Sequence, residues 1–371
     1  MPRSWWRGPA SFIGTALLAA AFATPAQAAP RLHKAFWGPT QINGVSQFPI
    51  YHDLGVDLFQ TAINWAEAAP TRPRHPTRPS DRAYRWPADI DYAIQQGRRY
   101  GVRVLIMLVG APRWANGGHS WQYAPSQARG FAHFARAAAR RYPAVHHWMI
   151  WGEPCRSGTF RPIVPQPNFG QPLNAAQQRA PRRYARLLDA AYGALKAVSR
   201  RNLVIGGNCF TTGDVSPVAW ADNLRLPDGR PPRMDIYGHN PFSYRKPDLR
   251  NPPSGIETVD FSDLGRFSDH INAVLGAPRH RRLPIFISEW TVPTTRTDIE
   301  FNFHVTLGQQ WTWIRAAFRV ARALGDRLYS VGWIHLYDER PDPRHLVGVV
   351  EGGLITWDHR KKPGYYAFQR G

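Results

Sequence analysis

From residue 35 to residue 368 the chain alternates eight times between a short β-rich apolar run and a segment with helical spacing. The apolar runs are Ala35–Gly38, Asp57–Asn64, Val102–Val109, Val145–Trp151, Leu203–Asn208, Met234–His239, Pro284–Ser288 and Val331–Tyr337. The helical segments are Val45–Leu54, Pro87–Tyr100, Ser126–Arg141, Arg182–Arg200, Pro217–Leu224, Ser262–Leu275, His304–Leu324 and Pro363–Phe368. Three- and four-residue spacing is clearest in Phe131, Phe134, Ala135 and Ala138, and in Trp313, Ala317, Val320 and Leu324. Near-continuous apolar strands belong to a parallel sheet covered on both faces by helices, and eight such units close a (β/α)8 barrel. A doubly wound open sheet is the structural alternative. It would show a Gly-rich phosphate turn after an early strand, and neither G-x-G-x-x-G nor a P-loop occurs. With no repeat or Gly/Ser linker to divide it, the sequence predicts one TIM barrel domain spanning 29–371.

The first 28 residues read as a signal peptide. Arg3 and Arg7 form the basic start, Ser11 to Ala23 the apolar run, and Ala26-Gln27-Ala28 the cleavage site. Thirteen apolar residues are too few for a spanning helix, which needs about 20. The expectation is a secreted chain, extracellular or wall-associated, that starts near Ala29, is not inserted in a membrane and acts as a monomer. The full chain carries 47 Lys+Arg against 26 Asp+Glu, a net charge of +21. Such a charge ordinarily suggests a polyanion. Export argues against nucleic acid and leaves an acidic glycan, a wall polymer or merely a basic isoelectric point.

Catalytic residues of a (β/α)8 barrel sit at the carboxyl ends of its strands. Only seven glutamates occur, yet two of them follow buried-looking strands: Trp148-Met149-Ile150-Trp151-Gly152-Glu153 on the fourth and Ile285-Phe286-Ile287-Ser288-Glu289-Trp290 on the seventh. An isolated carboxylate there would be costly without a purpose. Two carboxylates flanking a cleft are what glycosidic cleavage needs, one protonated to donate and one ionised to attack or to activate water. Trp151 and Trp290 would supply apolar surface and stacking faces. Other groups read as structural. His146 and His147 are adjacent on one strand and point apart, which makes a poor chelate. Glu67, Asp338 and Glu339 read as solvated loop acids, and the Arg-rich segments 136–141 and 179–186 as solvated helix faces. No metal and no organic cofactor is expected.

The motifs around these glutamates resemble clan A glycoside hydrolases, retaining (β/α)8 enzymes, and among them glycoside hydrolase family 39. The likeness rests on Phe59-Gln60-Thr61-Ala62-Ile63-Asn64-Trp65, on Ala111-Pro112-Arg113-Trp114-Ala115, and on Asp235-Ile236-Tyr237-Gly238-His239-Asn240-Pro241-Phe242. Gly332-Trp333-Ile334-His335 and the closing Lys362-Pro363-Gly364-Tyr365-Tyr366-Ala367-Phe368 add to it. The resemblance implies an oligo- or polysaccharide substrate, Glu153 as acid and then base, and Glu289 as nucleophile. It implies that His239 and Tyr237 orient Glu289, that Trp333 lies under the sugar, and that Trp65 and Trp114 line the site. The retaining class places its carboxyl groups ~5–5.5 Å apart.

One departure matters. The family motif on the fourth strand is Asn-Glu-Pro, whereas this chain has Gly152-Glu153-Pro154. By resemblance, that Asn bonds the sugar 2-hydroxyl. Asn64, Asn208 or Asn240 would have to replace it, or the substrate differs there, or activity is weakened. The alternatives to a hydrolase are therefore a barrel that binds glycans without cleaving them and a basic wall-associated protein. The segments 71–86, 117–125, 157–180 and 244–260 would build the cleft. Cys155 and Cys209 stand at the tops of strands four and five, whose axes are ~4.8 Å apart, so a disulfide is expected between them.

Overall fold

The computed structural model describes residues 32–276, 282–294, 303–340 and 350–371; the expected signal peptide lies outside them. Eight parallel strands close a barrel: β1 His33–Trp37, β2 Leu58–Asn64, β3 Arg103–Val109, β4 His147–Ile150, β5 Leu203–Phe210, β6 Ile236–Asn240, β7 Ile285–Ile287 and β8 Leu328–Trp333. Each pairs with its sequence neighbours, and β8 returns to β1 through the register His33↔Ser330 to Phe36↔Trp333. The fold is the expected (β/α)8 barrel.

Alternation along the strands separates two cores. Ala35, Leu58, Leu105, Met149, Ile205, Ile236 and Phe286 point inward and fill one layer of the barrel, all buried. The neighbouring positions, such as Phe36, Phe59, Trp148, Val204 and Tyr237, meet the helices outside. The longest covering helices are Arg179–Val198 and Leu307–Leu324, the latter opened by a capping box of Thr306 and Gln309. At the foot of the barrel the Lys34 ammonium donates to the carbonyls of Leu54 (3.2 Å), Phe368 (2.8 Å) and Gln369 (2.9 Å). That clasp ties the first strand to the last helix, Pro363–Gln369.

Two local expectations change. The helix expected over Val45–Leu54 is only Phe48–Asp53, because Gln41–Ile42 and Val45–Ser46 pair as a small antiparallel ribbon. Its turn is Asn43-Gly44 with φ of 49° and 77°, the Asn-Gly pairing that a two-residue hairpin demands. Asp338 is not a solvated acid. It is buried against the Lys362 ammonium at 2.8 and 2.9 Å and accepts the Gly353 N–H at 2.9 Å.

Two buried histidines make stability pH-dependent. Burial, then the cations Arg103, His33 and His146, pushes His147 down to about 3, and burial pushes His239 down to about 4. Between the ordinary imidazole value near 6.5 and these values, the unfolded chain binds more protons than the folded one. Stability therefore falls as pH falls through that window. Urea midpoints measured from pH 7 to pH 4 should decline, and His147→Gln should flatten the decline. An equally steep decline in that variant would remove His147 from the account.

Candidate active site

Three non-glycine residues at the mouth of β4 and β5 adopt left-handed backbone: Trp151 (φ 65°), Glu153 (45°) and Asn208 (54°). Such conformations are held by their surroundings. The Trp151 N–H donates to Leu108 O at 2.9 Å and the Glu153 N–H to Asn208 O at 3.1 Å. The Trp151 indole N–H donates to Thr159 O at 2.8 Å, and the Thr159 hydroxyl returns to Glu153 O. β4 thus ends at Ile150, and the turn that follows aims Glu153 over the mouth.

The second acid, Glu289, lies two residues past the short β7. Asn240, the last residue of β6, joins the two. Its Nδ2 donates to Glu153 Oε1 at 3.1 Å, and its Oδ1 accepts the Glu289 backbone N–H at 3.1 Å. One planar amide thus holds the Glu153 carboxylate oxygen within about 8.5 Å of the Glu289 nitrogen. Glu153 Oε2 is taken by the exposed guanidinium of Arg156 at 2.8 Å. Sequence reasoning missed Arg156, although its i,i+3 spacing from Glu153 is a readable pairing signal.

Several expected contributions are placed otherwise. Ile236 faces into the barrel, so Gly238 and Asn240 do too, while Tyr237 and His239 face the helices. Both rings pack on Phe267, at 5.7 and 5.0 Å between centroids, and the His239 Nε2–H donates to Val259 O at 2.9 Å. Asn240, rather than this pair, reaches the Glu289 backbone. Trp65, Trp151, Trp290 and Trp333 are fully buried and have no face to offer a sugar. Trp65 stacks on Phe134 at 5.6 Å, and Trp333 lies edge-on to Trp290 at 5.2 Å and against Phe368 at 6.1 Å. Trp114 is half-buried and donates to Ala69 O at 2.8 Å. Partly open aromatic surface comes instead from two residues not singled out from sequence. Trp37 donates its indole N–H to Ser288 at 3.0 Å, beside Glu289, and Trp121 is exposed over Gly110 and Asn64.

The candidate replacements for the missing Asn are also accounted for. Asn64 caps the short helix Trp65–Ala68 by accepting the Ala66 N–H at 3.0 Å. Asn208 and Asn240 are fully buried. At Gly152 a Cβ would meet the Met107 thioether at 2.9 Å, so a side chain there requires the tip of that methionine to move. Three of the four segments expected to flank the site touch one another. Tyr123 bridges Arg161, and Glu257 accepts from Gln166 at 3.1 Å and Ser216 at 2.6 Å. Cys155 and Cys209 are adjacent but are free, buried thiols, not the expected disulfide. Burial pushes the Cys209 thiol well up, which disfavours the thiolate that exchange requires and shields it from oxidant.

No protein-family model and no curated protein matches the chain. Solved structures do. A family 39 glycoside hydrolase from Bacteroides cellulosilyticus aligns over 92% of this chain and 63% of its own, at 16% identity and a TM-score of 0.63. A glucosidase from Croceicoccus marinus aligns over 92% of this chain and 65% of its own, at 14% identity and 0.61. A monomeric beta-xylosidase from Caulobacter crescentus aligns over 92% and 68%, at 17% and 0.60. This chain thus spans under two thirds of the first two. The structural neighbours are glycoside hydrolases, and at these identities the likeness establishes a shared (β/α)8 fold.

Restoring the motif at position 152 tests the packing. Gly152→Asn should destabilise the fold by about 1–3 kcal/mol through overpacking. Adding Met107→Ala should recover part of that loss in urea unfolding. If Gly152→Asn unfolds at the wild-type midpoint, Met107 is not what excludes a side chain.

Proposed function

We propose that this chain is an exported retaining glycoside hydrolase related to family 39, acting as a monomer on an oligo- or polysaccharide. The observation that carries the reading is the Asn240 amide, which couples the carboxylate after β4 to the backbone of the acid after β7. Glu289 attacks the anomeric carbon and forms a glycosyl ester as the glycosidic C–O bond breaks. Glu153 gives its proton to the departing oxygen. In the second step Glu153 takes a proton from water, whose oxygen displaces Glu289 and returns the original anomeric configuration. Asn240 keeps Glu153 Oε1 in place, and an entering sugar displaces the exposed Arg156 from Oε2.

A second reading, glycan binding without cleavage, is favoured by one observation. Gly152 has no group for the 2-hydroxyl, and Met107 fills the space where one would sit. Loss of one such transition-state bond to a charged partner costs ~1.5–3 kcal/mol, about one to two decades in rate. That weakens catalysis rather than removing it.

Kinetics on activated aryl glycosides separate the two readings. Glu289→Ala should lower kcat at least a thousandfold, and Glu153→Ala should lose a hundredfold or more on poor leaving groups but regain rate with azide. NMR should show the retained anomer first. Unchanged hydrolysis in Glu289→Ala would end the nucleophile assignment, and an inverted product would end the retaining one. Amino-terminal sequencing of secreted protein should begin near Ala29.

A further inference from the structure

A minority of the described arginines pair with acids. Arg141 meets Asp91, Arg233 meets Asp189, Arg245 meets Asp260 and Arg250 meets Asp248. The segment 69–87, ahead of the helix Ala88–Tyr100, gathers several of the unpaired ones. Arg72, Arg74, Arg78 and Arg82 are exposed there, and neither they nor Arg129 pairs with an acid among the described residues. The one acid of that segment, Asp81, is used internally, accepting the N–H groups of His75 at 2.7 Å and Ala83 at 3.0 Å.

These cations border two hollows that share Arg72. One, of about 510 Å³, lies between Trp65, Tyr84, Trp114, Arg72, Arg129 and His133. The other, of about 590 Å³, is lined by Arg74, Arg78 and Arg82. Both volumes suit a small ligand or a few units of a polymer. The walls are braced in advance. Arg72 lies 5.3 Å over the Trp114 ring and donates to Trp114 O at 3.2 Å. The Trp86 indole donates to Pro79 O at 2.8 Å, and Arg140 to Thr77 O at 2.9 Å. Burial first, then the neighbouring guanidinium groups of Arg129 and Arg136, hold His133 below the ordinary imidazole range.

We infer that the Arg72–Arg129 hollow is a second carbohydrate site, distinct from the glutamate pair, that takes a pyranose unit bearing a carboxylate or sulfate. Its position follows from the fold. Trp65 and Trp114 follow β2 and β3, at the same end of the barrel as Glu153 and Glu289. A glycan leaving the mouth past β3 meets the cations there. Guanidinium forks match carboxylate and sulfate oxygens in pairs, and the half-buried Trp114 and Pro76 accept the ring. The choice of carbohydrate rests on the glycosidase reading; the demand for an anion does not.

Binding measured by calorimetry tests the site with four probes: polygalacturonate, its fully methyl-esterified form, a sulfated galactan and a single-stranded 20-mer DNA. An anionic glycan should bind, with affinity falling as salt rises. Methyl esterification, or the double variant Arg72→Ala/Arg129→Ala, should weaken polygalacturonate binding at least tenfold at an unchanged unfolding midpoint. Arg129→Glu provides an independent variant and should weaken it as strongly. Binding unaffected by these exposed substitutions, equal binding of the methyl ester, or tighter binding of DNA than of either anionic glycan would overturn the proposal. Arginine-dependent glycan binding in a protein that hydrolyses nothing would leave this site standing and remove the glycosidase reading. Hydrolysis without arginine-dependent binding would do the reverse.

Discussion

One side-chain amide, that of Asn240, sets the geometry of the barrel mouth. Its donor end holds the Glu153 carboxylate and its acceptor end the Glu289 backbone N–H, so one residue of β6 links the two acid-bearing segments. The amide can do this only because β6 runs in register. Gly207 stands opposite Gly238, and a bulge then shifts the pairing so that Cys209 faces His239. The extra residue is Asn208, and its carbonyl turns to receive the Glu153 N–H. A one-residue slip of β6 would send Asn240 outward and bring His239 into the mouth.

Backbone strain concentrates where the chemistry is expected. Left-handed Trp151, Glu153 and Asn208 each cost of order 1–3 kcal/mol, and a ring of backbone and indole bonds offsets that cost. Close packing extends the same restraint. A Cβ on Gly238 would meet Asn208 Oδ1 at 2.7 Å, and one on Gly152 would meet Met107 Sδ at 2.9 Å. The departure from the family motif at 152 is thus part of how this mouth is packed, coupled to a methionine on the neighbouring strand. The far end of the barrel is held by different means, the Lys34 clasp on three carbonyls.

The strong positive charge divides into two populations once the fold is known. A minority of the arginines neutralise acids on neighbouring helices and loops, where each exposed pair contributes little stability. The others have no acidic partner among the described residues, and Arg72, Arg74, Arg78 and Arg82 of this group lie close together after β2, around braced hollows. Net charge alone cannot separate these populations, because pairing is a property of distance.

The sequence by itself determined the architecture and the two acids. Hydrophobic runs of strand length recurring with helical segments leave few closed solutions, and glutamates are rare enough that two after buried strands stand out. Its errors were local. The Asn43-Gly44 hairpin signal was legible but unused, so its return strand Val45–Ser46 was read as the start of a helix, and Asp338 and Lys362 met only through folding. Tertiary structure alone decided which face each strand-end residue presents. Regular alternation from inward Ile236 sends Tyr237 and His239 to the helix layer and Asn240 toward the acids, and Trp333 shares the outward face of its partner Phe36, but barrel closure is what fixes which face is inside. It also decided that Cys155 and Cys209 lie together as buried thiols, since proximity follows from register whereas bond formation needs an accessible thiolate.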